Sequence, residues 1–166
     1  MDRLIVDMCE ILDAEAKCLG SLCELEENKT DVIMVHDGKN LERISRDQES
    51  ILERMRSLET RRMARMQAIR GRRGISGDIT TLADMIARLE GDAAACLKER
   101  RARVRNAAGK LGRIREKNHA LIRDNMEYYE ILLTGLRRES ARERGYGCDG
   151  REEDGLRNSI LFNQTA

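Results

Sequence analysis

Proline and tryptophan are missing from this 166-residue chain, and aromatic residues amount to 2%, three Tyr and one Phe. Without proline, nothing forces a break inside a helix, so helices of unusual length are permitted. With so few bulky anchors, a compact globule built around aromatic side chains is disfavoured. The five cysteines (Cys9, Cys18, Cys23, Cys96, Cys148) include no Cys-x-x-Cys pair. Cys18 and Cys23 stand about 140° apart around a helix and cannot jointly clamp one metal. Their odd number, with no signal peptide over Met1–Asp7, leads us to expect reduced thiols in the cytoplasm, Cys18 being a small core residue. No apolar run approaches the ~20 residues that span a bilayer, so a soluble protein without stable membrane insertion is expected. Gly71-Arg72-Arg73-Gly74-Ile75-Ser76-Gly77 lacks the Gly-Lys-Ser/Thr of a phosphate cradle and any preceding strand, and reads as a connector. No cofactor, metal site or active site is expected.

What the chain does hold is charge, 37% of its residues, with Leu, Ile, Met, Ala, Arg and Glu dominant, the mixture of long helices. The net charge of +1 conceals a polarity. Residues 1–36 carry nine acids against three bases, residues 98–117 nine bases against two acids, and residues 54–73 eight arginines against Glu59. The expectation is an acidic first helix beside basic later ones, the charges largely solvated and worth ~0–1 kcal/mol per exposed pair. A nucleic-acid ligand on the arginines would need stacking aromatics or a reader motif, and neither is present. Histidine phosphotransfer has only His36 and His119 to draw on; His36 has Lys39 nearby but sits at a helix end, whereas the pattern expects His mid-helix followed by Lys and Gly one turn on. No enzyme is expected.

The organisation is all-α: a long antiparallel helical hairpin or three-helix bundle with coiled-coil packing, a short extra helix and a disordered C-terminal tail. Expected helices cover about 2–36, 40–70, 80–90 and 92–142, forming one domain over 1–144, with a flexible tail over 145–166. In the first helix, Leu4, Met8, Ile11, Cys18, Leu22, Leu25 and Val32 keep heptad steps interrupted by Glu15 and Lys29. Gly38 supplies the first turn and Asn40 the N-cap of helix two. Arg62 and Arg65 on its apolar steps predict a second half less buried than the first. Thr81-Leu82-Ala83-Asp84 opens the short helix as a capping box. Gly109 and Gly112 permit close helix approach or local flexing in the last helix.

That last helix carries an unbroken heptad seam: Val104, Ala107, Leu111, Ile114, Asn118, Leu121, Asn125, Tyr128 and Leu132. Asparagine on such a seam costs stability and fixes register or partner choice. At 1.5 Å per residue, helices one and two span about 50 Å and the last about 75 Å. In an up-down-up arrangement its later part therefore overhangs or pairs with something outside the chain. Further apolar residues there, Ile122, Met126, Tyr129, Ile131, Leu133 and Leu136, exceed what one neighbouring helix covers. After Gly145 the glycines and mixed charges read as disorder, ending in the apolar island Ile160-Leu161-Phe162.

Several segments together resemble the FlgN type of flagellar export chaperone over nearly the whole length. They are the turn Asp37-Gly38-Lys39-Asn40-Leu41, Glu59-Thr60-Arg61-Arg62 closing helix two, and Asn118-His119-Ala120-Leu121-Ile122 followed by Asn125-Met126-Glu127-Tyr128-Tyr129. The tail adds Tyr146-Gly147-Cys148-Asp149-Gly150. The arginine richness around residues 61–73 and 100–115 and the two glycines of the last helix depart from the family's pattern. The resemblance implies a cytosolic chaperone that binds hook-associated (filament-junction) proteins through their C-terminal helical segments. It also implies that the chaperone prevents premature assembly and delivers its cargo to a component of the type III export gate.

The partner-binding residues expected are Asn118, Leu121, Ile122, Asn125, Met126, Tyr128, Tyr129, Leu132, Leu133 and Leu136, with Val104–Ile114 reserved for internal packing. The polar Asn118 and Asn125 would keep affinity modest enough for release. The expected oligomeric state is a monomer or weak homodimer. The alternative is a self-associating coiled-coil structural or scaffolding protein, for which a stable dimer burying the last helix would be diagnostic.

Overall fold

The computed structural model describes residues 2–75 and 81–143. Four helices follow in order: α1 Arg3–Met34, α2 Gly38–Arg73, α3 Leu82–Ile86 and α4 Gly91–Glu143, with no strand among the described residues. The tail over 145–166, with Cys148 and the apolar island at 160–162, lies outside the described residues, as does the end of the glycine connector at Ser76 and Gly77. The chain divides into two compact units, Met1–Ile122 and Arg123–Ala166. The first holds α1, α2, α3 and α4 as far as Ile122; the second holds the rest of α4.

Each helix end has a local cause. The Asp2 carboxylate accepts from the Leu4 amide and opens α1. At the α1–α2 turn the left-handed conformation falls on His36, φ 56°, and not on Gly38, which is the first residue of α2. The cap of α2 is likewise Asp37, accepting from the Asn40 amide at 3.1 Å, so Asn40 sits inside the helix it was expected to open. Gly74 ends α2 in the left-handed region, φ 59°, its amide donating to the carbonyls of Arg70 and Gly71. Thr81 and Asp84 form the capping box of α3.

In the first unit, α1 is the central helix. Arg62, Arg65 and Arg72 of α2 pair with Glu15, Asp7 and Asp2 of α1, so one number falls as the other rises and the two helices run antiparallel. Arg100, Arg103 and Lys110 of α4 meet Asp13 and Glu27 of α1 in parallel order. The first unit is thus an up-down-up bundle in which the acidic helix lies between two basic ones. Its charges are less solvated than expected, since Glu15 and Glu26 are buried.

The main core cluster joins Ile5, Met8, Cys9 and Leu12 of α1 to Met66 and Ile69 of α2, Leu82, Met85 and Leu89 around α3, and Ala93 and Leu97 of α4. Met8, Met85 and Leu97 are fully inaccessible, and burial of this kind contributes roughly 1.5–3 kcal/mol per side chain. The second half of α2 is consequently the better buried half, against expectation. Arg62 and Arg65 leave the apolar steps by pairing with α1 carboxylates, while Met66 and Ile69 are covered by α3 and the start of α4. Gly109 and Gly112 do not mediate close helix approach: an added Cβ would meet nothing within 4 Å at Gly112, and at Gly109 only the Arg113 guanidinium at 3.7 Å.

Candidate functional site

Heptad spacing turns Val104, Ala107, Leu111, Ile114 and Asn118 of α4 inward as half-buried or buried residues, while the positions between them are exposed. At the end of this stretch, apolar packing gives way to a polar junction. Asn118 is 2% exposed. Its Nδ2 donates to the Glu26 carbonyl at 2.8 Å and to Glu26 Oε2 at 2.7 Å, and its Oδ1 accepts from the Thr30 hydroxyl at 2.6 Å. Gln48 of α2 donates from Nε2 to Glu26 Oε1 at 2.9 Å, and Lys29 Nζ donates to Gln48 Oε1 at 3.3 Å. Three helices thus meet on one buried carboxylate whose oxygens are hydrogen-bonded, the condition under which a buried charge is tolerated. Above the junction lies a cleft of about 190 Å³ lined by Leu22, Leu52, Leu111, His119 and Ile122.

Asn118 therefore belongs to the interior of the first unit, where its bonds hold α4 in register with α1. Leu121 and Ile122 are half-buried in the same unit. In the second unit Asn125 is half-buried, and every large apolar residue from Met126 to Leu136 is exposed. Tyr129, Leu132, Leu133 and Leu136 follow the i, i+3, i+4, i+7 spacing of one helical face, with exposures of 45%, 43%, 38% and 62%. Tyr128 flanks this stripe with its ring 6.0 Å from that of Tyr129 in an edge arrangement. Met126 and Ile131 are 68% and 65% exposed. Ile131 lies on the opposite face of the helix, grouped with Glu127, Glu130, Thr134 and Arg138, and stays outside the stripe as the sequence spacing had left it.

This surface is apolar and exposed. Among the described residues no group of three or more His, Cys, Asp or Glu side chains could hold a metal ion, and no helix is long and apolar enough to cross a membrane. The stripe offers apolar area and two phenol hydroxyls at helical spacing, which fits the apolar face of another helix. Glu130 and Arg137 flank it, whereas Glu127 and Arg138 lie on the opposite face.

Compared with known proteins, the chain matches the family model described as FlgN protein over residues 1–154. No curated protein and no solved structure matches it.

Proposed function

Because the chain belongs to the FlgN family of flagellar export chaperones, we propose that the stripe Tyr129, Leu132, Leu133 and Leu136, with Met126 and Tyr128 beside it, receives the C-terminal helical segment of a hook-associated protein. The observation that carries this reading is the unbroken exposure of large apolar side chains from Met126 to Leu136 on one helix. A monomeric surface rarely leaves such a run uncovered without a partner. A cargo segment that is itself an amphipathic helix would aggregate or assemble early if left free. Docked here, it buries its apolar face until secretion. Delivery then brings the loaded chaperone to a component of the export gate from the cytosol.

Asn118 is spent on internal bonds of the first unit, in which Leu121 and Ile122 are half-buried; within the second unit Asn125 lies at the near edge of the stripe. A second copy of this chain is the rival occupant, since a stripe at this spacing is also self-complementary. Pull-down of purified hook-associated proteins, intact and lacking the C-terminal helix, tests the reading. Retention of the intact protein and loss of the truncated one is expected. Equal retention of both would refute it. Light scattering on the free chain separates the rival, which requires a stable dimer.

A further inference from the structure

We propose that Cys9 and Cys96 form an oxidation site, at which hydrogen peroxide converts two touching thiols into a disulfide that staples α1 to α4 in the first unit. The two sulfurs lie 2.8 Å apart although 87 residues separate them in sequence. Their surroundings differ in a way that assigns each a part. Cys9 is buried in the main core with Ile5, Met8 and Leu12, whereas Cys96 is half-buried at the margin of that core. Arg100, one turn along α4, donates from Nη1 to Cys96 Sγ at 3.0 Å, while its Nε is held at 2.9 Å by Asp13 Oδ2. The contact fixes the Cys96 sulfur at the half-buried margin, where a small oxidant has access that the core denies to Cys9. Burial, reinforced by the contact with Cys96, pushes the Cys9 thiol up to about 12, so Cys9 stays protonated and does not react first.

The chemistry balances in two steps. Cys96 sulfur attacks one peroxide oxygen, the O–O bond breaks, and a sulfenic acid and water are formed. Cys9 sulfur then attacks the sulfenyl sulfur. The S–O bond breaks, the hydroxide leaves with the Cys9 proton as a second water, and the S–S bond forms. Two thiols are oxidised by two electrons and one peroxide is reduced to two waters. A dithiol reductant reverses the change. The other buried cysteines are placed differently: Cys18 packs with Ile11 and Leu58, and Cys23 faces the Ala107 carbonyl at 3.8 Å. A link closing so long a loop restricts the unfolded chain and stabilises the bundle. The site lies within the first unit and holds whatever docks on the second.

The test treats the full chain with hydrogen peroxide, alkylates the remaining thiols and maps peptides without reduction. The expected result is the Cys9 peptide joined to the Cys96 peptide, released by dithiothreitol, with a thermal midpoint roughly 5–10 °C above that of the reduced chain. Cys96→Ser, at the half-buried position that substitution disturbs least, is expected to lose both the linked peptide and the shift. The proposal is overturned if Cys96 proceeds to the sulfinic acid with Cys9 unmodified, or if either cysteine links instead to Cys148. A linked peptide without a rise in midpoint would equally refute the staple.

Discussion

Asn118 of α4 spends both amide hydrogens on one residue of α1, Glu26, reaching its backbone carbonyl at 2.8 Å and its carboxylate at 2.7 Å. The carbonyl it meets also accepts from Thr30, whose hydroxyl lies 2.6 Å from Asn118 Oδ1. A heptad slip of α4 along α1 would break the three bonds to Asn118 at once, so the asparagine fixes register as a polar seam residue does in a coiled coil.

Asn118→Leu keeps the side-chain size but leaves Glu26 Oε2 without its amide donor, while the Thr30 hydroxyl falls back on the Glu26 carbonyl. The expected cost is about 2–3 kcal/mol, read from urea unfolding followed by circular dichroism. A variant as stable as the wild type would remove the junction from the account of the fold.

Glu15 carries the pH dependence. Burial raises its carboxyl above the ordinary value of 4.5, and Arg62, donating at 3.0 Å, pulls it partly back. The folded chain therefore holds this proton more tightly than the unfolded chain does. The stability it contributes is full below pH 4.5 and is lost as pH rises through the raised value. Glu15→Gln cannot ionise and still accepts from Arg62, so relative to wild type it is expected to gain stability with rising pH. Urea midpoints of both proteins across that window check this, and a variant that loses ground as pH rises would show that the ion pair outweighs desolvation.

The cross-helix ion pairs should be unequal to those on the surface. Asp13 binds Arg100 and Arg103, each at 2.9 Å, in a partly buried gap between α1 and α4. Asp13→Ala is expected to cost about 1–2 kcal/mol by removing the carboxylate that Arg100 and Arg103 share, Arg103 keeping only Glu99 at 3.8 Å. Glu42→Ala, which breaks an exposed pair with Arg46 on α2, should change stability by less than about 0.5 kcal/mol. Thermal melts of the two variants side by side make the comparison, and equal losses would contradict it.

Much of this molecule could be read in advance because helices announce themselves by period and charge. The acidic α1 and the arginines of α2 and α4 foretold which helices lie side by side, and the heptads of α4 foretold its inward face. What escaped the sequence were side chains whose role depends on a partner far along the chain. Glu15 looked like a gap in the apolar stripe of α1, yet Arg62 fills that gap. Met66 and Ile69 looked weakly covered because the cover comes from α3, a five-residue helix with little periodicity of its own. Asn118 and Asn125 looked equivalent one heptad apart, and only the positions of Glu26 and Thr30 separate the interior one from its neighbour. The stripe was legible as apolar spacing, but its exposure was not, since exposure depends on what lies opposite.

The central claim is that the apolar stripe of the second unit holds a cargo helix. Its most direct test is calorimetric titration of the full chain with the C-terminal helical segment of a hook-associated protein, using wild type and Leu132→Ala/Leu133→Ala/Leu136→Ala. Leu132 and Leu136 are exposed, and Leu133 is 38% exposed, so the triple variant should melt at the wild-type temperature. Its affinity should be at least about tenfold weaker, a loss of ~1.4 kcal/mol or more. Unchanged affinity with an unchanged melting temperature would place the cargo site elsewhere and contradict the account.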